Sequence, residues 1–412
     1  MQKPDNQKGF ILLITTFFML MIMITVSLSM SALMFNRQMI ITNSVKSTQS
    51  YYAAESGIED SLLKLKNNPQ IPATSYAFTV GNTTANVTIP AIAGGSRQLL
   101  AKGDNGGIIK NIGALYTIDS QGIAFHYGAQ AGEGGVQMSN LSVVKGNVFS
   151  SGSITGSGTI ENEAIVAGQN SINGVDVNGN AISYSCVNAD IGGNLTYVAG
   201  GSNTCDVEGS TTQQSGAVPV QPLPISQEQI DEWKNGAQEV EVISGNYTIA
   251  NNQTQAMGPV KITGNLILAN NATLRLMGTV YVVGSITISN NAKIQLDASY
   301  GSLGGVLLAD GLINISNNSV FSGSGQAGSY VLMLSTSTSN SAIVVSNNGG
   351  GAIFYTSQGG VLLNNNVKVK EVTGYKITMN NNVIVEYESG LANPFFSGGP
   401  GGAWKVTNWE EK

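Results

Sequence analysis

Hydrophobic residues open the chain in one long uninterrupted block. No charged residue occurs between Lys8 and Arg37, and positions 10–34 are almost wholly apolar. A run of this length is sufficient for a helix that spans a lipid bilayer. A cleaved secretory signal, for which 29–32 would be the peptidase site, has a much shorter apolar core. The pattern therefore predicts a transmembrane helix.

The helical pattern continues beyond the apolar block. Residues recur at alternating three- and four-residue steps: Ile41, Val45, Thr48, Tyr52, Glu55, Ile58, Leu62 and Leu65. Lys64 and Lys66 suit the negative end of a helix dipole, and the Asn-Asn-Pro sequence at 67–69 stops the helix. We therefore predict one transmembrane and amphipathic helix over 10–66, with this stripe facing a partner.

The next segment, 67–135, predicts a linking region of short antiparallel strands. Its β-branched and alternating runs, at 75–80, 85–89 and 115–118, are separated by Gly-Asn and Gly-Gly turns. His126 is the single histidine, and with no second histidine or nearby acid and nucleophile we assign it a structural or surface role.

From residue 245 onward the chain repeats a unit of the form Gly-x-apolar-x-apolar-small-Asn-Asn. The clearest copies are Gly245–Asn252, Gly264–Asn271, Gly284–Asn291 and Gly311–Asn318, and weaker copies end at Asn348, Asn366 and Asn382. Successive Asn pairs lie 16 to 30 residues apart. This spacing is typical of the coils of a solenoid, whereas a β-sandwich, the alternative, has turn signals every 8–12 residues.

The repeated letters have physical roles in such a coil. Alternating aliphatic residues fill the interior, and asparagine turns the corner because it tolerates the left-handed conformation and can bond to the next asparagine in the stack. We predict that the inward residues are Leu266, Leu268, Ile286, Ile288, Ile313 and Ile315. Their outward neighbours are Ile267, Thr287 and Asn314, and Asn270, Asn290 and Asn317 lie in a line.

The fold class predicted is mainly β: the long helix, then short strands, then an elongated parallel β-helix. Residues 136–210 form irregular coils, and 241–395 form the regular solenoid with the asparagine ladder. Between them, 211–240 is a proline-rich connector with a short helix, for which Ser226 is the N-cap and Gln229 completes a capping box. The aromatic residues near the C-terminus predict a cap over the last coil at 396–412.

Composition and charge narrow the range of functions that the chain can have. Charged residues are only 11% of the chain and glycine contributes 51 of 412 residues, while the 42% hydrophobic fraction is ample for a core. The net charge of −6 makes nucleic acid an unlikely partner. Cys186 and Cys205 fit a local disulfide, which would place the region outside the cytoplasm, with two unpaired buried cysteines as the alternative.

The N-terminal sequence also carries a resemblance. The short basic leader ending in Lys8 and Gly9, the apolar helix from Phe10, and its amphipathic continuation at 51–60 resemble type IV prepilins, in particular the PilX-type minor pilins. The resemblance implies a leader at 1–9 that a prepilin peptidase removes after Gly9, and methylation of the new amino terminus at Phe10. It also implies a single-pass protein of the inner membrane before assembly, whose helix then docks against other pilins.

One position departs from the major pilins, which carry glutamate at the fifth mature position. Here that position is Ile14. The carboxylate cannot then pair with a neighbouring subunit's amino terminus, and this pairing would be strong in lipid. The departure favours a rare, tip or initiating subunit.

Two functions follow from these patterns. The first is a minor pilin-like subunit of a type IV pilus or pseudopilus that displays the solenoid at the cell surface for adhesion, toward an unknown glycan or protein ligand. The alternative is a membrane-anchored polysaccharide lyase or hydrolase, for which candidate acids are Glu161, Glu163, Asp176, Asp190 and Asp206. The arrangement of these acids indicates an exposed acidic edge more readily than a catalytic cluster. Residues 176–180 are similar to part of a calcium-binding loop, but they lack its following glycine and its terminal acid. We therefore predict no enzyme activity, cofactor or metal.

Overall fold

The computed structural model describes residues 6–67, 71–90, 96–118, 120–139, 141–392, 395–397 and 404–411. The N-terminal element is a single helix, α1 (Asn6–Asn67), of 62 residues. At about 1.5 Å per residue it is roughly 93 Å long. The prediction of one continuous helix through the apolar block and its amphipathic extension is confirmed.

The remaining elements are mostly strands. Before the second helix they are β1 (Thr74–Val80), β2 (Thr83–Ile89), β3 (Ser96–Asn105), β4 (Ile108–Ile118), β5 (Ser120–Gly122), β6 (Ala129–Met138), β7 (Val143–Lys145), β8 (Val148–Ser150), β9 (Ile154–Gly156), β10 (Thr159–Ile160), β11 (Ala164–Val166), β12 (Ser171–Asn173), β13 (Asp176–Val177), β14 (Ala181–Ser183), β15 (Ser185–Val187), β16 (Asp190–Ile191), β17 (Leu195–Val198), β18 (Asp206–Val207) and β19 (Thr211–Gln214). The second helix is α2 (Gln227–Gln238).

After α2 the chain forms β20 (Val242–Ile243), β21 (Tyr247–Ile249), β22 (Thr254–Met257), β23 (Val260–Ile262), β24 (Leu266–Leu268), β25 (Thr273–Leu276), β26 (Val280–Val282), β27 (Ile286–Ile288), β28 (Lys293–Leu296), β29 (Gly304–Ala309), β30 (Ile313–Ile315), β31 (Val320–Ser322), β32 (Val331–Ser335), β33 (Ile343–Ser346), β34 (Ile353–Thr356), β35 (Gly360–Asn364), β36 (Lys368–Val369), β37 (Glu371–Asn380), β38 (Ile384–Glu386), β39 (Phe395–Ser397) and β40 (Trp404–Glu411). Short 3-10 turns lie at Ala298–Tyr300 and Ser389–Ala392.

Strands β6 to β38, apart from the α2 segment, wind as a parallel β-helix with three faces. The first face contains β20, β23, β26, β29, β32, β34, the start of β37, the start of β6, β8, β11, β14, β17 and β19. The second contains β21, β24, β27, β30, β33, β35, the ends of β37 and β6, β9, β12 and β15. The third contains β22, β25, β28, β31, Gly350, β36, β38, β7, β10, β13, β16 and β18.

The two halves of this stack are joined in an order that the sequence did not predict. The first half (129–214) begins in the middle of the stack, where β6 pairs in parallel with β37, the last long strand of the second half (242–386). The first half therefore winds away from this junction, and the second half winds toward it from the opposite end. A dozen spacings of about 4.8 Å make the stack roughly 58 Å long.

A strap, residues 215–241, carries the chain back from one end of the stack to the other. Its contacts follow the coils in order: Gly168 N donates to Val218 O at 2.9 Å, Gln130 Nε2 to Pro222 O at 3.0 Å, Tyr355 Oη to Ile225 O at 2.8 Å, and Lys261 Nζ to Gln238 Oε1 at 3.2 Å. The connector predicted at 211–240, with its short helix α2, therefore runs along the outside of the coils. The strap is held because its apolar residues cover apolar side chains of the first face.

Strap and first face together form a second core outside the coil interior. It contains Ile225, Ile230, Trp233 and Ala237 of the strap, with Tyr281, Val306, Leu308, Leu332, Leu334, Ile353 and Tyr355 of the first face. The N-cap predicted for α2 is present, since the Ser226 side chain accepts a hydrogen bond from Gln229 N. Trp233 is a packing residue, with 6% of its surface exposed.

The coil interior matches the prediction made from the repeats. The six aliphatic residues assigned to it are no more than 2% exposed. Their neighbours Ile267, Thr287 and Asn314 point outward and are partly or fully exposed. Strand pairing sets Leu268 beside Ile288 and Ile288 beside Ile315, so the asparagines two positions later fall in one line.

The strands before the coils form a separate antiparallel sheet in the order β1-β2-β3-β4-β40. Short antiparallel strands were predicted here, but the coils begin at Ala129 rather than at 136. The cap predicted at 396–412 is placed differently: β40 returns to pair with β4, and β39 pairs with β5. The last coil in sequence needs no cap because β38 stacks against β7.

Candidate functional site

The N-terminal part of α1 is an exposed apolar cylinder. Its large apolar side chains from Phe10 to Ile41 are all at least 39% exposed, and Phe10–Lys66 is long and apolar enough to cross a membrane by length and composition. The hydroxyls of Thr15, Thr16, Thr25 and Ser29 donate to carbonyls three or four residues earlier in the same helix, at 2.8–3.1 Å. These bonds satisfy the polar groups internally, which a lipid environment requires.

The proposed processing junction lies at the start of this cylinder. Gly9 and Phe10 lie three and four residues after Asn6, the first residue of α1. Phe10 is 67% exposed and Ile14 is 39% exposed. Cleavage and methylation here stay predictions.

The C-terminal part of α1 packs on the antiparallel sheet through small residues. The buried helix residues are Ser50, Ala53, Ala54, Gly57, Ile58, Ser61 and Leu65. A Cβ on Gly103 of β3 would lie 1.9 Å from the carbonyl oxygen of Ser50, so glycine at that position permits direct backbone contact. The prediction that the whole stripe from Ile41 to Leu65 faces a partner is corrected in part. Ile58 and Leu65 are buried within the chain itself, whereas Ile41, Val45 and Tyr52 are exposed.

A charged cluster fixes the end of the helix on the sheet. Tyr76 Oη donates to Asp60 Oδ2 at 2.6 Å, and Lys64 Nζ binds the same oxygen at 2.5 Å. Lys64 also lies 3.6 Å from the centroid of the Tyr76 ring. Partial burial opposes ionisation, but the hydrogen bonds from Lys64 and Tyr76 keep the pKa of Asp60 below its usual value. The Asp60–Lys64 ion pair, one helical turn apart, is therefore also part of a tertiary contact.

The two cysteines lie on neighbouring coils near the free end of the first half. Cys186 is buried in β15, and its sulfur lies 2.00 Å from that of Cys205, with the Cα atoms 5.7 Å apart. Cys186 also pairs in parallel with Asn203, two positions before Cys205. The bond therefore links the last two coils at the end of the stack farthest from β20. Its presence in the exported protein is a prediction.

The candidate acids lie along one edge rather than around a pocket. Asp176, Asp190 and Asp206 occupy the same outward position on successive strands of the third face. Glu161 and Glu163 flank the end of β10, with Glu161 exposed and Glu163 partly exposed. The described residues contain no group of three or more His, Cys, Asp or Glu that could hold a metal ion.

The asparagine corners form the ladder that the sequence indicated. The second asparagine of each pair has a positive φ, as at Asn271 (59°) and Asn291 (56°). Side-chain amides bond from coil to coil, for example Asn271 to Asn252 at 3.1 Å and Asn382 to Asn366 at 2.8 Å. At the junction of the two halves, Leu141 occupies the corner position that an asparagine occupies in the regular coils. Its φ is 62° and its side chain is 78% exposed.

A buried carboxyl group lies at the junction of the two halves. Glu371 is fully buried at the start of β37, and Thr373 Oγ1 donates to its Oε1 at 2.5 Å, while its Oε2 has no hydrogen-bond partner. Burial raises the pKa of Glu371 well above its usual value, against the smaller opposite effect of Thr373. No pattern in the sequence indicated a buried carboxyl group at position 371.

The strap is anchored by a second polar cluster. Lys234 of α2 binds Asp310 Oδ1 at 2.6 Å, and Tyr281 Oη donates to Asp310 Oδ2 at 2.7 Å. Partial burial works against ionisation, but hydrogen bonds from Lys234 and Tyr281 lower the pKa of Asp310. A charged pair that is partly shielded from water holds α2 at this position along the stack.

No family model matches this sequence, and no curated protein matches it. Among solved structures, the crystal structure of the competence-associated pilin ComZ from Thermus thermophilus aligns with 89% of this chain and 97% of its own length, at 11% sequence identity and a TM-score of 0.26. A TM-score this low does not establish a shared fold.

Proposed function

We propose that this chain is a minor pilin-like subunit of a type IV pilus or related pseudopilus, which displays the β-helix at the cell surface for adhesion or surface interaction. The observation that carries the proposal is α1 itself. One continuous helix has an N-terminal half that is exposed and apolar and a C-terminal half that packs on an antiparallel sheet. A simple membrane anchor needs only the first of these.

The partners follow from the two halves of the helix. The exposed cylinder spans the inner membrane before assembly and afterwards packs against the helices of other pilins, where it exchanges lipid contacts for protein contacts. A prepilin peptidase removes the leader between Gly9 and Phe10. Ile14 cannot supply the carboxylate that pairs with a neighbour's amino terminus, so the chain enters filaments in low copy number.

The arrangement of acids gives less support to a surface lyase or hydrolase. Such enzymes need an acid and a base that converge on one bond in a groove. Asp176, Asp190 and Asp206 instead follow one another along an open edge, with neighbouring strands about 4.8 Å apart. This spacing suits an interaction surface.

The test is incorporation into filaments. The full chain is expressed in a host that makes type IV pili, and the filaments are sheared off and probed for the protein. We expect the wild type in the sheared fraction at a small ratio to the major pilin, and Gly9→Val retained in the membrane. Gly216→Val is the matched control, because a Cβ at Gly216 meets no atom within 4 Å.

Two results would contradict the proposal. One is a wild-type chain that stays in the membrane while the host's own pilins are sheared off. The other is a Gly9→Val chain that reaches the filaments as efficiently as the Gly216→Val control.

A further inference from the structure

The third face of the β-helix carries its charges in two separate blocks. Along its strands, alternate residues point outward, and the charged ones in the first half from β10 onward are acidic: Glu161, Asp176, Asp190, Asp206 and Glu208. The charged residues at the same outward positions in the second half, up to β36, are basic: Arg275, Lys293, Lys368 and Lys370. Lys145 and Glu386 meet at the junction, 4.0 Å apart.

Stacking makes the acidic block unfavourable in an isolated molecule. Asp176, Asp190 and Asp206 occupy equivalent positions on neighbouring strands, about 4.8 Å apart. Like charges directly opposite each other on adjacent strands are destabilising. A partner that brings positive charge to this edge relieves the repulsion.

The basic block carries positive charges that are exposed to solvent. Lys293 is exposed at the same outward position, two strands from one end of the stack. Arg275 is half exposed although Asp297 lies 3.5 Å away, and Lys370 is paired with Glu388. Lys293 and Lys368 lack an ion pair within the described residues, so their charges face solvent.

From this distribution we propose that the third face docks on the third face of a second copy of the chain, with the two β-helices antiparallel. The two-fold axis runs along the strand direction between β36 and β38. Counting strands outward from that axis sets β28 opposite β13, β25 opposite β16, and β36 opposite β38. Lys293 then faces Asp176 and Lys370 faces Glu386, while Arg275 lies diagonally from Asp190, two residues along the strand from Thr273, which faces it directly.

The remaining strand positions are compatible with this pairing. The end strands set Asp206 and Glu208 opposite the uncharged β22, and β31 lies opposite β10. Lys145 of β7 faces the Gly350 position, beside a recess of about 390 Å³ that is lined by Asn348, Gly350 and Asn366 and, toward β36 and β38, by Lys368, Lys370 and Glu386. No strand position among the described residues of this face opposes two charges of the same sign. The surface is therefore self-complementary, as a two-fold interface requires.

The area of the third face indicates how strongly two copies should associate. Eleven spacings of about 4.8 Å by three residues of about 3.3 Å give roughly 500 Å² per copy. That is at the low end for specific protein interfaces, where association is weak and transient. Because the contacts are exposed charge pairs, the association should also weaken steeply with salt.

This inference rests on the proposed display function, since display would bring many copies on different filaments or cells into contact. The test does not depend on filaments, so the two can fail separately. Full-length chain is reconstituted into phosphatidylcholine vesicles, and vesicle clustering is followed by dynamic light scattering. A helix buried in one bilayer cannot link two vesicles, so clustering reports on the exposed domain.

Charge reversals give the decisive comparison. The acid-reversed variant is Asp176→Lys with Asp190→Lys, and the base-reversed variant is Arg275→Glu with Lys293→Glu. The control, Glu239→Lys with Glu241→Lys, makes the same charge change as the acid-reversed variant, at exposed positions on the strap. Far-UV circular dichroism and thermal unfolding check that each variant is folded.

We expect wild-type and control vesicles to cluster at about 20 mM salt, with mean diameter at least about two-fold larger, and to disperse at about 0.5 M salt. Either reversed variant alone should not cluster. A mixture of acid-reversed and base-reversed vesicles should cluster again, because both contacts of the two-fold pair are then attractive. In a mixture of control and base-reversed vesicles, the control vesicles should cluster among themselves and the base-reversed vesicles should stay dispersed, because one contact between the two kinds is repulsive.

Three outcomes overturn the proposal. Wild-type vesicles stay dispersed at low salt, or a reversed variant clusters by itself, or the mixed reversed variants fail to cluster. Clustering that appears only with added calcium and disappears with a chelator also overturns it, since a cation rather than a basic block would then neutralise the acids.

Discussion

Replacement of Ile288 by aspartate tests the coil architecture at its centre. Ile288 lies in β27, is fully buried, and is stacked between Leu268 of the preceding coil and Ile315 of the next. Thr287, one residue earlier, points to the opposite side of the same strand and is partly exposed. The same substitution at two adjacent residues therefore separates interior from exterior.

The cost at Ile288 has two parts. Loss of a large buried aliphatic side chain costs about 2–5 kcal/mol. A carboxyl group without a partner in the aliphatic column adds about 1–3 kcal/mol even when it is protonated. The total is roughly 3–8 kcal/mol, whereas Thr287→Asp should change stability by no more than about 0.5 kcal/mol.

Local hydrogen exchange is the suitable assay, because stacked coils interact mainly with their neighbours and need not unfold in one step. In the full chain, amides of β24, β27 and β30 should exchange at least about 100-fold faster in Ile288→Asp, since each factor of ten corresponds to about 1.4 kcal/mol. Amides of β11 and β14, in the first half, should change less. Equal effects of the two aspartate substitutions would refute the inward assignment of Ile288.

Three further predictions concern other parts of the molecule. The raised pKa of Glu371 means that its ionisation opposes folding. The free energy of unfolding should therefore fall as pH rises above about 4.5, the pKa in the unfolded chain. The fall should be up to about 1.4 kcal/mol per pH unit and should end where the pH reaches the folded-state pKa. Glu371→Gln should remove this fall in unfolding titrations, Glu161→Gln should not, and identical pH profiles for wild type and Glu371→Gln would contradict the assignment. Cys186 and Cys205 should resist alkylation without reductant in the exported protein, and replacing both by serine should cost about 3 kcal/mol for a loop of this length; free thiols in the exported protein would disprove the bond. Tyr355→Phe should remove the hydrogen bond to the strap and speed amide exchange in α2 by about ten-fold or more, leaving β14 unchanged as the internal control; unchanged exchange in α2 would show that this bond does not hold the strap.

The regular coils were predictable because their sequence repeats a local rule. Each Asn-Asn corner follows an alternating aliphatic strand, and both features depend on neighbours within a few residues. The length of α1 was predictable for a similar reason, since no proline occurs between Pro4 and Pro69. The buried face of α1 was not, because small residues such as Ala54 and Gly57 carry little hydrophobic signal.

The joining of the two halves depends on contacts between residues far apart in sequence. Nothing local indicates that β37 pairs with β6, which precedes it by more than two hundred residues. One signal for the strap was present: β29 and β32 are apolar at consecutive positions, as Val306-Leu307-Leu308 shows, rather than alternating. A strand that is apolar on both sides is buried on both sides, so some segment had to cover the first face.

If α1 is a processed pilin helix, the intact mass of the protein recovered from the cell surface will show it. We expect a chain that begins at Phe10 and carries one methyl group on its amino terminus. A mass that retains residues 1–9, or that corresponds to cleavage near Ala32, would contradict it.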